Sequence, residues 1–148
     1  MSAMIKRIFL FLLVCSIFST AFAQTIKYSS VNNEDLVYVL NNIEKTLEFT
    51  NTNQTLYIKV FIVSDPSGSA HIPDTEDITN TIYITTSEAG EAPEQHLYKL
   101  TSVYDPKIIS WTKSAKHPQL IFSYGPADKR KKVAVSIELK GLKIKPAN

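Results

Sequence analysis

The chain has 148 residues, with 16 basic and 14 acidic side chains, one cysteine and four glycines. A single cysteine excludes a disulfide framework, and four glycines leave little room for a glycine-rich phosphate loop. The part of the chain after residue 23 is long enough for one domain that buries roughly two-thirds of its unfolded surface.

The first 23 residues have the pattern of a signal peptide. Lys6 and Arg7 precede an apolar run over residues 8–18, and the tripeptide AFA at residues 21–23 has the small-x-small form that a signal peptidase recognises. We therefore expect a mature chain that begins at Gln24 and is exported, either to the periplasm or outside the cell. A retained membrane anchor is the alternative, although the run is shorter than the ~20 apolar residues that span a bilayer.

The only cysteine, Cys15, lies inside this leader. It could be the lipid-modified residue of a lipoprotein, but Val14 stands before it where such processing needs a small residue. The predicted mature chain therefore has no thiol, and so it has no disulfide, no cysteine metal ligand and no cysteine nucleophile.

A helix is predicted over residues 34–48. Apolar side chains recur there at steps of three and four residues, which places them on one stripe. These residues are Leu36, Val39, Leu40, Ile43 and Leu47. Asn32 or Asn33 can cap the start, and the two acidic residues that follow lie where the helix dipole favours negative charge. We expect this amphipathic helix to dock on a sheet.

The rest of the chain has the alternation and the β-branched composition of strands. A short alternating stretch begins at Ile26, and six strands are predicted at residues 56–64, 81–87, 96–104, 107–113, 119–124 and 132–139. Asp105 and Pro106 favour a hairpin turn between the third and fourth of these strands. At Gly141 the alternation changes phase, which indicates a β-bulge or a break between two strands.

These elements predict an α+β fold that is mainly β, in a single domain over residues 24–148. The expected architecture is an antiparallel β-sandwich of about six to seven strands with one N-terminal amphipathic helix packed on it. A single curved sheet wrapped on the helix is the alternative.

The two halves of the predicted mature chain carry opposite charge. Residues 24–96 contain 3 basic and 11 acidic side chains, whereas residues 97–148 contain 11 basic and 3 acidic ones. Such asymmetry can steer association with a partner of opposite sign. Alternatively, strands from the two halves interleave and neutralise each other.

A run of four cations is the candidate contact for an anionic partner: Lys129, Arg130, Lys131 and Lys132. An acidic protein surface, an anionic glycan or a lipid head group fits the export signal better than nucleic acid does. Nucleic-acid binding usually adds aromatic side chains that stack on bases, and only Tyr124 is near the run. The alternative interpretation is a solvated hairpin tip whose charges oppose aggregation.

The loop over residues 65–80 has a partial resemblance in spacing to a calcium site. Asp65, Ser67, Ser69 and Glu76 occupy the first, third, fifth and twelfth positions, which supply oxygen ligands in a calcium-binding loop. However, Ala70 stands where that loop requires glycine. A flexible polar connection is the alternative interpretation.

No catalytic or cofactor signature is present in the sequence. His71, His96 and His117 lack the close spacing of zinc ligands, and no G-x-S-x-G motif occurs. We expect an exported, non-enzymatic binding or structural module of the cell envelope that needs no cofactor. The alternatives are a small secreted hydrolase or metal-dependent enzyme whose site assembles only in the fold, and an inhibitor or immunity-type protein.

Overall fold

The computed structural model describes residues 29–30 and 33–147, and the chain divides into two units, Met1–Asn32 and Asn33–Asn148. The predicted signal peptide, its cleavage site and Cys15 lie outside the described residues. The helix and the strands described below all belong to the second unit.

The described residues of this unit form one short helix and eight antiparallel strands. The helix is α1 (Glu34–Asn41), and the strands are β1 (Ile43–Thr50), β2 (Leu56–Ser64), β3 (Thr79–Glu88), β4 (Gln95–Tyr104), β5 (Lys107–Thr112), β6 (Gln119–Tyr124), β7 (Lys131–Glu138) and β8 (Gly141–Pro146). The first four strands form one sheet in the order β1-β2-β3-β4, here called the N-terminal sheet. The last four form the C-terminal sheet in the order β5-β6-β7-β8.

The prediction of a mainly β, antiparallel fold with a helix near its start is confirmed. The strand count is not, because the described chain has eight strands instead of six or seven. β1 was not predicted, and β8 is the strand that one of the two alternatives at Gly141 implied. Because β8 begins at Gly141 and pairs with β7, the phase change there is a break between two strands.

The predicted helix over residues 34–48 is half as long as expected. Asn33 caps its start, since its side-chain oxygen accepts a hydrogen bond from the backbone N–H of Leu36 at 2.9 Å. The helix ends at Asn41, and the chain continues as β1. Leu47 and Phe49, two residues apart on this strand, both point inward and pack on the core. Consequently Leu36 is 45% exposed, whereas the prediction placed it in a buried stripe.

The predicted hairpin at Asp105 and Pro106 is wrong. β4 pairs with β3, and β5 pairs with β6, so these two residues carry the chain from one sheet to the other. Asp105 has a φ of 43°, in the left-handed region, which turns the chain out of the first sheet. A proline next to such a turn suits a crossover as well as a hairpin.

One hydrophobic cluster contains side chains from both sheets. Its buried members include Ile58, Ile82 and Ile84 of the N-terminal sheet and Leu120 and Ile137 of the C-terminal sheet. Along these strands every second side chain enters the cluster, as the two-residue period of a strand requires. Among the described residues, no helix has the length and apolar composition needed to cross a bilayer.

Candidate functional site

The fold separates the charges by sheet. Residues 33–104, which form α1 and the N-terminal sheet, hold 3 basic and 11 acidic side chains, a net of −8. Residues 105–147, which include the C-terminal sheet, hold 10 basic and 3 acidic ones, a net of +7. Because each sheet consists of consecutive strands, residues 33–104 and 105–147 contribute no strand to the same sheet.

Pairing across the C-terminal sheet brings four lysines onto its outer face. Val135 and Ile137 of β7 are fully buried, so the alternate residues of β7, beginning with Lys132, point outward. Residues directly opposite each other in an antiparallel pair share a face. Ser123 lies opposite both Lys107 and Lys132, and the small outward residues of β7 lie opposite the lysines of β8. The resulting basic face comprises Lys107, Lys132, Lys143 and Lys145.

The centre of the basic face is made of small side chains. Ala134 lies opposite Lys145, and Ser136 lies opposite Lys143. Of the four lysines, Lys107 and Lys143 form ion pairs, with Asp105 at 3.2 Å and with Glu138 at 2.6 Å. Surface pairs of this kind are weak and are screened by salt. The basic face therefore has exposed ammonium groups beside the small side chains of Ala134 and Ser136.

The structure does not bring the four predicted cations together. Only Lys132 belongs to the basic face. Lys129 lies in the turn before β7, and Lys131 lies opposite Tyr124, on the other face of the strand. All three lysines are exposed. They contribute exposed positive charge to the region, whereas the side chain of Arg130 bonds to Asp105 and Ser123.

Arg130 is engaged within the fold. Its guanidinium donates to the carboxylate and the backbone oxygen of Asp105, both at 2.5 Å. It also donates to the hydroxyl and the carbonyl oxygen of Ser123, both at 3.2 Å, and to the carbonyl of Gly125 at 3.0 Å. These bonds tie the turn between β6 and β7 to the crossover between the sheets. The same turn requires glycine at position 125, where φ is 102°.

Arg130 and Lys107 lower the pKa of Asp105. Partial burial acts in the opposite direction and raises the pKa, but the hydrogen bonds from the two cations outweigh it. The folded state therefore binds the Asp105 proton less readily than the unfolded state does. Above the unfolded pKa of about 3.9 the ionised carboxylate stabilises the fold, and this stabilisation is lost as the pH falls through the lower, folded value.

We predict that Asp105→Asn lowers the free energy of unfolding by about 1 kcal/mol at pH 7. The effect is modest because ion pairs of an exposed carboxylate contribute little to stability. The difference from the wild type should shrink as the pH falls below the unfolded pKa, where the wild-type carboxyl also becomes neutral. Urea denaturation at pH 7, 4 and 2.5 measures this trend. A difference that stays constant across that range would show that the charge of Asp105 has no part in the effect.

The loop between β2 and β3 uses its oxygen groups internally. Asp65 accepts hydrogen bonds from the hydroxyls of Thr79 at 2.6 Å and Thr81 at 2.8 Å, while Ser67 donates to Glu76. Ser67 and Glu76, two of the four residues with calcium spacing, are thus hydrogen-bonded to each other. In the part of the chain that the structure describes, no group of three His, Cys, Asp or Glu residues is placed to hold a metal ion.

The three histidines lie on different parts of the fold and have different neighbours. His96 on β4 lies 2.9 Å from a carboxylate oxygen of Glu94. His117, in the turn before β6, lies 3.2 Å from a carboxylate oxygen of Glu138. His71 is exposed in the loop between β2 and β3. Each of the first two is therefore paired with a separate carboxylate.

Sequence reasoning missed Lys107, Lys143 and Lys145 of the basic face. The signal was present in the alternation of Lys143, Ile144 and Lys145, which is typical of an edge strand with one charged face. Recognising this signal required knowing that β8 is a separate strand and how it is aligned with β7.

Comparisons of the chain with protein-family models, with curated proteins and with solved structures gave no match.

Proposed function

We propose that the chain is an exported β-sandwich module of the cell envelope that binds an anionic partner through its basic face. The observation that carries this proposal is the net charge of +7 over residues 105–147, which include the C-terminal sheet, against −8 over residues 33–104, which include the N-terminal sheet. Export rests on the leader sequence alone. The module acts by binding, without a cofactor.

Several contacts between the sheets support the sandwich architecture. The rings of Phe49 on β1 and Trp111 on β5 stack with centroids 4.4 Å apart. At the opposite edge, the hydroxyls of Thr86 and Tyr98 donate to the carbonyl of Leu139, at 2.8 Å and 2.9 Å. Together with the shared hydrophobic cluster, these contacts fit two sheets packed face to face.

The availability of the positive charge supports the binding role. Among the described residues, six cations of residues 105–147 make no ion pair within 4 Å: Lys113, Lys116, Lys129, Lys131, Lys132 and Lys145. Cations without internal partners can attract an anionic surface and accelerate encounter with it. Arg130 holds the turn beside them in one conformation, which reduces the ordering cost of binding.

Binding of the purified protein to fluorescent poly-L-aspartate and to heparin tests the proposal. We expect binding at 50 mM NaCl that weakens strongly at 300 mM, because salt screens exposed charges. The variant Lys132→Ala/Lys143→Ala/Lys145→Ala, which removes three lysines of the basic face, should bind about tenfold more weakly, a loss of about 1.4 kcal/mol shared by three lysines.

The matched control removes three lysines from the N-terminal sheet: Lys45→Ala/Lys59→Ala/Lys99→Ala. It changes the net charge by the same amount, so an effect of overall charge alone would weaken both variants equally. Binding that is unaffected by the first variant, or reduced equally by both, would refute a role for the basic face.

A further inference from the structure

We propose that the anionic partner of the basic face is a second copy of this chain, which docks through α1 and the acidic N-terminal sheet. This inference rests on the proposed function and names the partner. The association is head-to-tail, because the two docking surfaces are different parts of the same molecule. A contact of this kind repeats from copy to copy unless its rotation closes a ring.

The acidic side of the molecule has carboxylates that are exposed and lack internal cations. Among the described residues, eight exposed carboxylates of this side make no ion pair within 4 Å: Glu34, Asp35, Glu44, Asp74, Glu76, Asp77, Glu88 and Glu91. Within the described part of the chain, one ion pair beyond the crossover joins residues 105–147 to residues 33–104, between Lys140 in the turn after β7 and Glu94 at 3.0 Å. The opposite charges are thus largely left for intermolecular contact.

The acidic side also has an apolar groove. It lies between α1 and the outer face of the N-terminal sheet and has a volume of about 380 Å³. Leu36, Leu40 and Leu97 line it and are 45%, 61% and 63% exposed. Asp35 stands at its rim. Exposed apolar surface of this kind, bordered by charge, is typical of a protein interface.

The basic face also has exposed apolar surface, which can pack on the groove beside α1. Ile109 on β5 is 50% exposed, and a β-bulge places it with Ser110 opposite Ile121 on the outward side of the sheet. Small side chains of β7 continue this surface, with lysines around it. An apolar centre bordered by cations on one copy can therefore meet an apolar groove with Asp35 at its rim on the next.

Charge complementarity favours a second copy over an unrelated partner. Each molecule carries a net of −8 over residues 33–104 and +7 over residues 105–147. Two copies that met through the same side would bring like charges together, which costs free energy. Contact between the basic face of one copy and the acidic side of the next brings opposite charges together. Every copy supplies one basic and one acidic surface.

Sedimentation velocity as a function of concentration and salt tests this inference. We expect the wild-type protein to associate at 20 mM NaCl and to return to monomers at 500 mM NaCl. The charge-reversal variants Lys132→Glu/Lys145→Glu, on the basic face, and Glu34→Lys/Asp35→Lys, on the acidic side, should each be monomeric alone. An equimolar mixture of the two should associate again, because the unaltered basic face of one variant then meets the unaltered acidic side of the other.

Circular dichroism establishes that each variant is folded, and Glu34→Gln/Asp35→Asn supplies a second acidic-side variant that should also weaken association. A wild-type protein that stays monomeric at low salt, or a mixture that stays monomeric, would overturn the inference. If the monomeric wild type still bound poly-L-aspartate in a salt-dependent way, the proposed function would stand and only the identity of the partner would fall. Loss of both would refute both.

Discussion

The Arg130→Ala variant should unfold with a free energy about 3 kcal/mol lower than that of the wild type. The side chain of Arg130 is only 19% exposed and makes five hydrogen bonds that join three segments. Its removal leaves the oxygens of Asp105 and Ser123 without these donors, and hydrogen bonds to charged groups contribute about 1.5–3 kcal/mol each in favourable cases. Urea denaturation followed by tryptophan fluorescence measures the change.

Two further variants separate the geometry of Arg130 from its charge. Lys131→Ala removes a neighbouring exposed cation and should change stability by less than about 0.5 kcal/mol. Arg130→Lys keeps the charge but loses the planar fork that reaches Asp105 and Ser123 together, so it should remain clearly destabilised. Equal stability of Arg130→Ala and Lys131→Ala would contradict the assigned structural role.

Ile84→Ala and Leu120→Ala should each lower the free energy of unfolding by about 2–5 kcal/mol, the range for truncating a fully buried aliphatic side chain. Ile84 belongs to the N-terminal sheet and Leu120 to the C-terminal sheet, and both are 0% exposed. Because both side chains belong to one hydrophobic cluster, each substitution should shift the same cooperative transition.

Calorimetry with chemical denaturation checks whether that transition is single. Leu97→Ala on β4 is the matched control: Leu97 is 63% exposed, so its truncation should cost far less. Two separate transitions, with each substitution affecting only one, would show that the sheets have independent cores and would contradict the β-sandwich.

The strands with the clearest alternation could be predicted from the sequence. β2 and β6 have the predicted bounds, because their β-branched and apolar residues are bordered by turn residues on both sides. β7 differs from its predicted range by one residue at each end. In these segments local preference and tertiary packing favour the same conformation.

The end of α1 could not be predicted, because residues 43–47 satisfy two periods at once. Ile43 and Leu47 are four residues apart, which continues a helical stripe, but Leu47 and Phe49 are two residues apart, which fits a strand. Pairing of β1 with β2, from Ile43 opposite Val63 to Thr50 opposite Tyr57, decides in favour of the strand. This pairing is a tertiary interaction that a local pattern does not contain.

The candidate site was predicted only in part for a similar reason. The run of cations at residues 129–132 is visible in the sequence. Which of them lies in the turn, which lie on either face of β7 and which bonds to Asp105 depends on the strand register. The role of Arg130 depends on Asp105, which is 25 residues away. The lysines of β8 join the basic face only through their pairing with β7.

Chemical-shift mapping by two-dimensional NMR tests the central claim most directly. On titration of the 15N-labelled protein with short poly-L-aspartate, at a salt and protein concentration where sedimentation velocity shows monomers, the account predicts shifts confined to the outer face of the C-terminal sheet and the adjacent turn, centred on Lys132, Ala134 and Lys145. Shifts centred on α1 or the N-terminal sheet, or no shifts at all, would contradict it.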